Sequence, residues 1–476
     1  EMGTDEPRPF GRPLPNVRGS FIKLMVDLLG FFKLRGKPKR DMKAFKSYDI
    51  RGLYPEEINE KLAFKVGQAF AHFLKAKDIV VGFDMRESSP SLFEHLTKGM
   101  MSQGVNVINI GMVTTPMLSF AVAKYNYDGG IMISASHNPG EYNAFKVIGK
   151  RGVQLSSETG LNTLKELSQQ TFDSKNPGVM VKKNVINDYL NHVSSFSKNH
   201  NLKVVADYGN GVGAISAEPF FKRMGIEVVS MYPEPDGSFP NHPANPHDVE
   251  NLQDLQKKVV EEKADLGLFF DGDADRVVVV DEKGEIVYAD LLLALLAQEE
   301  LKQHQNEKVY FDLRFSKVVP EIITANHGIP IMMRVGNPFY KEKLIHEGGI
   351  LAGEFSGHIM FKENYGIDDG LFATIKTMNL LQNETLSSLV NTMKRYKNTP
   401  EINLKVKDAD ESLRKVAAKF QGGESISIDG VHISYKDWWF SLRKSNTEPL
   451  VRLRIEADST ELLEEKKAEI LEILEA

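Results

Sequence analysis

Cysteine is absent from all 476 residues. Its absence excludes disulfides, thiolate nucleophiles and zinc–thiolate sites. It does not fix the compartment, though it agrees with a cytoplasmic enzyme. A run of ~18 or more apolar residues is also missing, so no membrane-spanning helix is expected. Neither sign of charge is in strong excess. The 59 Lys and Arg against 65 Asp and Glu leave a net charge of −6, which gives no sign of a nucleic-acid partner. The chain is too long for one core, and its length implies three or four domains.

An N-terminal extension stands apart at residues 1–40. Pro7, Pro9, Pro13 and Pro15 argue against early helix, and the stretch 21–32 is apolar with scattered charge. That stretch is too short to span a bilayer and lacks the small-residue cleavage site of a signal peptide. A helix packed on the body, an interfacial helix and a dimer contact all fit it.

Residues 41–185 read as an α/β block. Ile58, Leu62, Val66, Phe70 and Phe73 recur at spacings of three and four, which predicts one buried helical face. Residues 78–84 then read as a strand ending in Asp. A helix around Phe93, Leu96 and Met100 follows, and a strand over 105–110. Such alternation predicts a mostly parallel sheet with helices on both faces. Sheets of that kind bind ligands beyond the carboxyl ends of their strands. A weak internal repeat supports two further blocks, 186–290 and 291–398. Residues 79–84, 203–207 and 308–312 are each an apolar strand closed by Asp before a turn. Gly209-Asn210-Gly211-Val212-Gly213 reads as a tight strand-to-helix corner or a phosphate cradle. Residues 399–476 differ in character. Short strands at 425–428, 431–434, 438–442 and 451–455 precede Asp458 and Glu461 at capping-box spacing and a final helix with Leu463, Ile470 and Leu474 on one face. This block is expected to be α+β.

Two stretches carry chemistry. Ile131-Met132-Ile133 reads as a short buried strand, and Ser134-Ala135-Ser136-His137-Asn138-Pro139-Gly140 leaves it as a loop with a Pro-Gly turn. Ser136 there is a candidate nucleophile or phosphoryl carrier, while an N-capping turn has the same pattern. The second stretch is Asp271-Gly272-Asp273-Ala274-Asp275-Arg276, set between the strands 265–270 and 277–280. Three carboxylates at alternate positions repel one another unless a cation neutralises them. Few protein oxygens plus phosphate oxygen suit Mg²⁺. An EF-hand is excluded, because the loop runs straight into a valine strand without the distal Glu.

Together with Gly353-Glu354-Phe355-Ser356-Gly357-His358 and Arg443-Lys444-Ser445-Asn446-Thr447-Glu448-Pro449, these motifs resemble, in order, those of the α-D-phosphohexomutases. The nearest branch is the bacterial phosphomannomutase/phosphoglucomutase group. The resemblance covers roughly residues 45–476. It implies three similar α/β domains with mostly parallel mixed sheets and a C-terminal α+β phosphate-binding domain, around a central cleft. It further implies reversible conversion of hexose 1-phosphate and hexose 6-phosphate (mannose and/or glucose) through a phosphoserine enzyme, with hexose 1,6-bisphosphate as intermediate and activator.

By the same resemblance, Ser136 carries the phosphoryl group and joins Asp271, Asp273 and Asp275 in binding Mg²⁺. His137, Lys146, Arg51 and His358 are the other catalytic candidates. Tyr48, Arg276, Arg314, Asn337, Glu354, Ser356 and His358 would contact the sugar phosphate, and Arg443, Ser445, Asn446 and Thr447 would hold the phosphate that does not react. Two positions depart from the family pattern: Arg314 stands where Lys is frequent, and Gly336-Asn337-Pro338 where Gly-His-Ser is frequent. Arg keeps the charge but does not release its proton readily. Both departures bear on sugar preference more than on reaction class. Phosphoglucosamine mutase is the alternative activity, and a non-catalytic relative the alternative class. The expected partner is a small phosphosugar; monomer and dimer are both open.

Overall fold

The computed structural model describes residues 42–198, 200–246, 248–444 and 450–475. The expectations for the extension at 1–40 lie outside the described residues. Among these residues, no helix is long and apolar enough to cross a membrane.

The first sheet contains β1 (Ile50–Leu53), β2 (Asp78–Phe83), β3 (Asn106–Met112), β4 (Gly129–Ile133), β5 (Tyr142–Ile148) and β6 (Met180–Lys182), in the order β1-β5-β4-β2-β3-β6. β4, β2, β3 and β6 run parallel, whereas β5 runs antiparallel to both of its neighbours, β4 and β1. The predicted amphipathic helix spans Glu60–Leu74. Asn59 caps it by accepting the Leu62 N–H at 3.0 Å, and Lys75 ends it in a left-handed conformation. Leu62, Val66 and Phe70 form its buried face. The helix packs closely on Ser89–Met101 because both lack a side chain at the crossing. A Cβ on Gly67 would fall 2.1 Å from the Leu96 carbonyl oxygen, and one on Gly99 2.1 Å from that of Phe64.

The second sheet, β7 (Lys203–Asp207), β8 (Glu227–Met231), β9 (Leu266–Phe270), β10 (Val277–Asp281) and β11 (Ile286–Val287), is ordered β11-β10-β9-β7-β8. The third contains β12 (Lys308–Asp312), β13 (Ile329–Met333), β14 (Leu351–Gly353) and β15 (Ile359–Phe361), ordered β13-β12-β14-β15. The three sheets share one device. β4, β9 and β14 each lie parallel to a neighbour (β2, β7, β12) and then turn back into an antiparallel hairpin with β5, β10 and β15. The Ser136, Asp271–Asp275 and Glu354–His358 motifs are the three hairpin loops. The repeated terminal Asp also has a structural reason. Asp84, Asp207 and Asp312 each accept the backbone N–H two residues on, at 3.1, 2.8 and 2.9 Å, which turns the chain sharply at the strand end.

The C-terminal sheet is antiparallel and comprises β16 (Lys397–Asn398), β17 (Ile402–Lys405), β18 (Glu424–Ile426), β19 (Val431–Ser434), β20 (Trp438–Lys444) and β21 (Leu450–Ala457). All four expected strands form. β17 and the helix Ala409–Lys419 are additions to the reading from sequence. The final helix begins at Thr460, but Ser459 caps it, accepting the Leu462 N–H at 3.2 Å. Asp458 instead pairs with Lys317 at 2.6 Å, so the expected capping box does not form.

One apolar cluster runs through the first three sheets and includes Phe120, Phe270, Leu293 and Phe372. The C-terminal domain keeps a separate core around Phe440, Leu442, Leu453 and Ile455. Each fully buried side chain of this size contributes about 1.5–3 kcal/mol.

The proline-rich loop over 233–246 is pinned by a histidine paired with an aspartate. His242 Nε2 lies 3.0 Å from Asp207 Oδ2, and its Nδ1 2.9 Å from the Pro243 carbonyl oxygen. Both ring nitrogens face acceptors, which favours the protonated ring, while burial raises the Asp207 carboxyl too. Burial opposes the ring's charge, but the Asp207 carboxylate outweighs it and holds His242 above the usual imidazole value. The folded-state value is therefore the higher one. This stabilisation is fully present below the unfolded value of about 6.5 and is lost as pH rises through the folded value. Histidine NMR titration should place the His242 midpoint above about 6.5, and Asp207→Asn should lower it. A midpoint at or below that of a free imidazole would contradict this assignment.

Candidate active site

The Ser136 loop is held from beneath by a buried arginine. Arg86 Nε donates to Asp84 Oδ2 at 3.1 Å; Nη1 donates to the Pro139 and Tyr142 carbonyls at 2.5 and 2.9 Å, and Nη2 to the Ser136 and Asn138 carbonyls at 2.9 and 2.5 Å. All five guanidinium protons are used, a pattern that three ammonium protons cannot reproduce. Ser136 itself adopts a left-handed φ of 54°, which is uncommon outside Gly and Asn. Its N–H is satisfied by Ser134 Oγ at 3.0 Å. Arg51 borders the same loop. It is clamped on Asp49 at 2.6 Å and donates to Asn138 Oδ1.

The acidic loop at the β9–β10 hairpin packs directly on Ser136. A Cβ on Gly272 would sit 2.3 Å from the Ser136 carbonyl oxygen, so only glycine fits there. Ser136 Oγ donates to Asp271 Oδ2 at 2.6 Å, accepts from Arg276 Nη2 at 2.6 Å and lies 3.2 Å from His137 Nδ1. Lys146 reaches Asp273 Oδ2 and Asp275 Oδ2 at 2.5 and 2.6 Å. His358 Nε2 stands 3.3 Å from Asp275 Oδ1, an ion-pair contact without hydrogen-bond geometry.

Charges in this cluster shape one another. Burial pushes Asp271 up to about 6, against the pull of Arg276. Burial disfavours Asp275 as an anion too, but Lys146 and His358 overcome that and hold it well below the carboxylate range. Lys146 is pushed up, its burial outweighed by Asp273 and Asp275. His358 rises to about 9, because Asp275 and Glu354 outweigh its burial. It is therefore an imidazolium at neutral pH.

Asp271, Asp273 and Asp275 can hold a metal ion, since one oxygen from each lies within 4.8 Å of the others. The oxygens left over support this reading. Asp273 Oδ1 is buried and makes no hydrogen bond among the described residues, and Asp275 Oδ1 makes ion-pair contacts alone, with His358 at 3.3 Å and Arg276 at 3.6 Å. Buried carboxylate oxygens are costly to leave unsatisfied. An all-oxygen set of this kind fits a hard divalent cation.

The third hairpin brings Glu354, Ser356 and His358 to the cluster. Glu354 accepts the Gly336 N–H at 3.0 Å, the Ser356 hydroxyl at 2.8 Å and His358 Nδ1–H at 2.9 Å. Burial opposes its charge, but His358 holds it down near 2. Tyr48 reaches across from the first domain and donates to the Val335 carbonyl at 3.1 Å. Asn337 donates to Asp368 Oδ2 at 2.6 Å, and Asp368 pairs with the fully buried Lys341 at 2.5 Å.

Arg314 and Arg443 form a second cluster with Arg452 around Glu401, at 3.3, 3.0 and 3.2 Å. Arg314 is further locked on Asp312 at 2.6 Å. Asp312 also accepts the Phe355 N–H at 3.1 Å, which connects this cluster to the Glu354 loop. Ser445, Asn446 and Thr447 lie outside the described residues.

The structure thus brings Ser136, His137, Lys146, Asp271, Asp273, Asp275, Arg276, Glu354, Ser356 and His358 into one contiguous network. Arg51, Tyr48 and Asn337 border it, and Arg314 and Arg443 converge on Glu401. Sequence reasoning gave no role to Arg86, Thr115, Lys341, Asp368 or Glu401. For Arg86 a signal existed. Asp84-Met85-Arg86 and Asp312-Leu313-Arg314 are the same Asp-x-Arg pattern at equivalent strand ends. Arg86→Lys should lower stability by about 2 kcal/mol through lost hydrogen bonds and speed amide exchange across residues 134–142. Urea unfolding and hydrogen-exchange mass spectrometry check this, and unchanged exchange would contradict it.

The four domains have counterparts in known proteins. The chain matches the phosphoglucomutase/phosphomannomutase alpha/beta/alpha domains I, II and III over residues 42–174, 187–284 and 288–396, and the C-terminal domain over 401–473. It is 36% identical to a phosphoglucomutase of Neisseria meningitidis over 91% of this chain and 96% of that protein. It is 34% identical to a phosphomannomutase/phosphoglucomutase of Pseudomonas aeruginosa over 89% of this chain and 93% of that one. A solved phosphoglucomutase/phosphomannomutase family protein from Burkholderia thailandensis superposes with a TM-score of 0.85 at 34% identity, covering 91% of this chain and 97% of its own. With four domains in order and relatives matched along nearly their whole length, the chain belongs to the phosphoglucomutase/phosphomannomutase family.

Proposed function

We propose that this chain is a phosphohexomutase that interconverts hexose 1-phosphate and hexose 6-phosphate, of mannose and/or glucose, through phospho-Ser136. One observation carries the reading: a buried serine hydroxyl sits 2.6 Å from both a carboxylate and a guanidinium of an acidic loop. Phosphoryl transfer is largely positioning and charge neutralisation, and this network provides both.

In the forward direction a free sugar hydroxyl attacks the phosphorus of phospho-Ser136. The new sugar O–P bond forms as the Ser136 Oγ–P bond breaks, and the hydroxyl proton leaves to a nearby acceptor. Hexose 1,6-bisphosphate results. After it turns in the cleft, Ser136 Oγ attacks the other phosphate and takes it, regenerating phospho-Ser136. Arg276 donates to Ser136 Oγ and offsets the charge that develops there on departure. Lys146, Arg51 and His358 supply further positive charge around the transferring group. With both nitrogens facing carboxylates, His358 acts as a donor rather than a base. Glu354 and Ser356 would hold sugar hydroxyls, and Arg443 with the loop after it the phosphate that does not react.

Mg²⁺, held by Asp271, Asp273, Asp275 and the Ser136 phosphoryl group, would supply Lewis-acid stabilisation of the phosphoryl oxygens. Arg276, Lys146 and His358 already meet the three aspartates charge for charge, so a dication fits best together with the phosphoryl dianion. A cytoplasmic setting suits such a small-molecule substrate.

Mannose 1-phosphate, glucose 1-phosphate and glucosamine 1-phosphate should be assayed side by side with Mg²⁺ and a trace of the matching bisphosphate. The expected result is 6-phosphate formation from mannose and glucose substrates, abolished by chelator. Ser136→Ala should lower kcat roughly a thousandfold or more while sugar-phosphate binding survives. Preference for the glucosamine substrate would move the assignment to the sister activity. No turnover of any of the three would overturn it.

A further inference from the structure

The residue that aims the metal loop comes from the first domain. Thr115 opens the helix Thr115–Lys124, and Thr114 caps that helix by accepting the Met117 N–H at 3.3 Å. The first N–H groups of a helix have no partner within it. The Thr115 N–H meets this need outside its own domain, by donating to the Asp273 carbonyl oxygen at 3.0 Å. The Thr115 hydroxyl donates to the side chain of the same residue, to Asp273 Oδ2 at 2.5 Å. One threonine therefore grips both the backbone and the carboxylate of Asp273. Both residues are fully buried.

The two carboxylate oxygens of Asp273 have different surroundings. Oδ2 receives Thr115 Oγ1 and Lys146 Nζ, each at 2.5 Å. Oδ1 is buried and makes no hydrogen bond among the described residues. Two donors on one oxygen fix the carboxylate plane and leave the other oxygen for a cation. Lys146 cannot do this alone, because it divides itself between Asp273 and Asp275. Among the described residues, Thr115 makes no hydrogen bond to Ser136 or to a sugar-contacting candidate.

We propose that Thr115 is a positioning residue for the divalent-cation site: by tying down Asp273 Oδ2 it keeps Oδ1 free for the ion and registers the acidic loop against the Ser136 domain. The proposal rests on the reading of Asp271, Asp273 and Asp275 as cation ligands. Outer-shell hydrogen bonds of this kind tune both ligand orientation and affinity. Thr suits the position because its methyl group restricts the hydroxyl to few rotamers. Valine keeps the shape and loses the donor.

The test is Mn²⁺ binding to the full chain carrying phospho-Ser136, read by electron paramagnetic resonance titration without any free sugar phosphate. Wild type, Thr115→Val, Thr115→Ser and Asp273→Asn are compared, with urea unfolding of each. Thr115→Val should weaken Mn²⁺ binding about 10–100-fold with little change in unfolding midpoint, while Thr115→Ser stays close to wild type. If the Val variant does not fold, Thr115→Ala serves in its place. Equal Mn²⁺ affinity in Thr115→Val and wild type would overturn the proposal. So would a loss in Thr115→Ser as large as in Thr115→Val, because the hydroxyl would then not be the cause. Wild type that binds no Mn²⁺, or that is matched by Asp273→Asn, would instead overturn the cation-site reading itself and the proposal with it.

Discussion

Everything in this molecule answers to three buried aspartates on one short hairpin. Asp271, Asp273 and Asp275 are all removed from water, and uncompensated burial of such groups costs several kcal/mol each. The cations that balance them come from elsewhere in the chain or from the same turn. Lys146 extends from β5 of the first sheet, Arg276 closes the acidic loop, and His358 reaches in from the third sheet. The charges that balance the loop thus come from three sheets. One apolar core runs through all three, and Gly272 of the acidic loop meets the Ser136 loop at a contact that admits no side chain.

The C-terminal domain is joined differently. Its core is its own, and the seam carries charges: Glu401 among three arginines, Arg454 beside Asp290 at 3.3 Å, and Lys317 beside Asp458. Burial disfavours the Glu401 anion, but Arg314 and Arg443 hold its carboxyl down near 2, so it stays ionised across physiological pH. Polar seams of this kind are more easily rearranged than a shared apolar core. The domain that would hold the unreactive phosphate is therefore joined through charged pairs. The serine and its acidic loop belong to the part that shares one apolar core.

Much of this was legible in the sequence, for physical reasons. Runs such as Ile131–Ile133 and Val277–Val280 have few alternatives to a buried strand, and glycine, proline and aspartate between them mark turns with little ambiguity. The three motif loops could be found because their chemistry is concentrated in six or seven consecutive residues. The Thr115–Asp273 contact, the Arg86 clamp and the Lys341–Asp368 pair could not. Each joins residues that are far apart in the chain or are individually ordinary: a threonine before a proline, an arginine in a loop, a lysine on a helix. Nothing local distinguishes a lysine that is fully buried from one in solvent. The Asp-x-Arg repeat at Asp84 and Asp312 was visible as letters, but its meaning depends on which carbonyls and carboxylates lie beyond the strand end. The cap at Ser459 shows the same limit on a smaller scale. Asp458 had the right spacing for a capping box, yet Lys317 from another domain engages it instead.

The account stands on covalent transfer through one serine, and isotope transfer tests this most directly. The chain would be incubated with glucose 1,6-bisphosphate labelled in its phosphates, freed of excess label, digested and mapped. It would then be chased with unlabelled glucose 1-phosphate. The account predicts label on Ser136 alone, at up to one phosphoryl group per chain, leaving with the sugar on the chase and absent from Ser136→Ala. Label on another residue, or a protein that turns over hexose phosphates while Ser136 stays unlabelled, would contradict it.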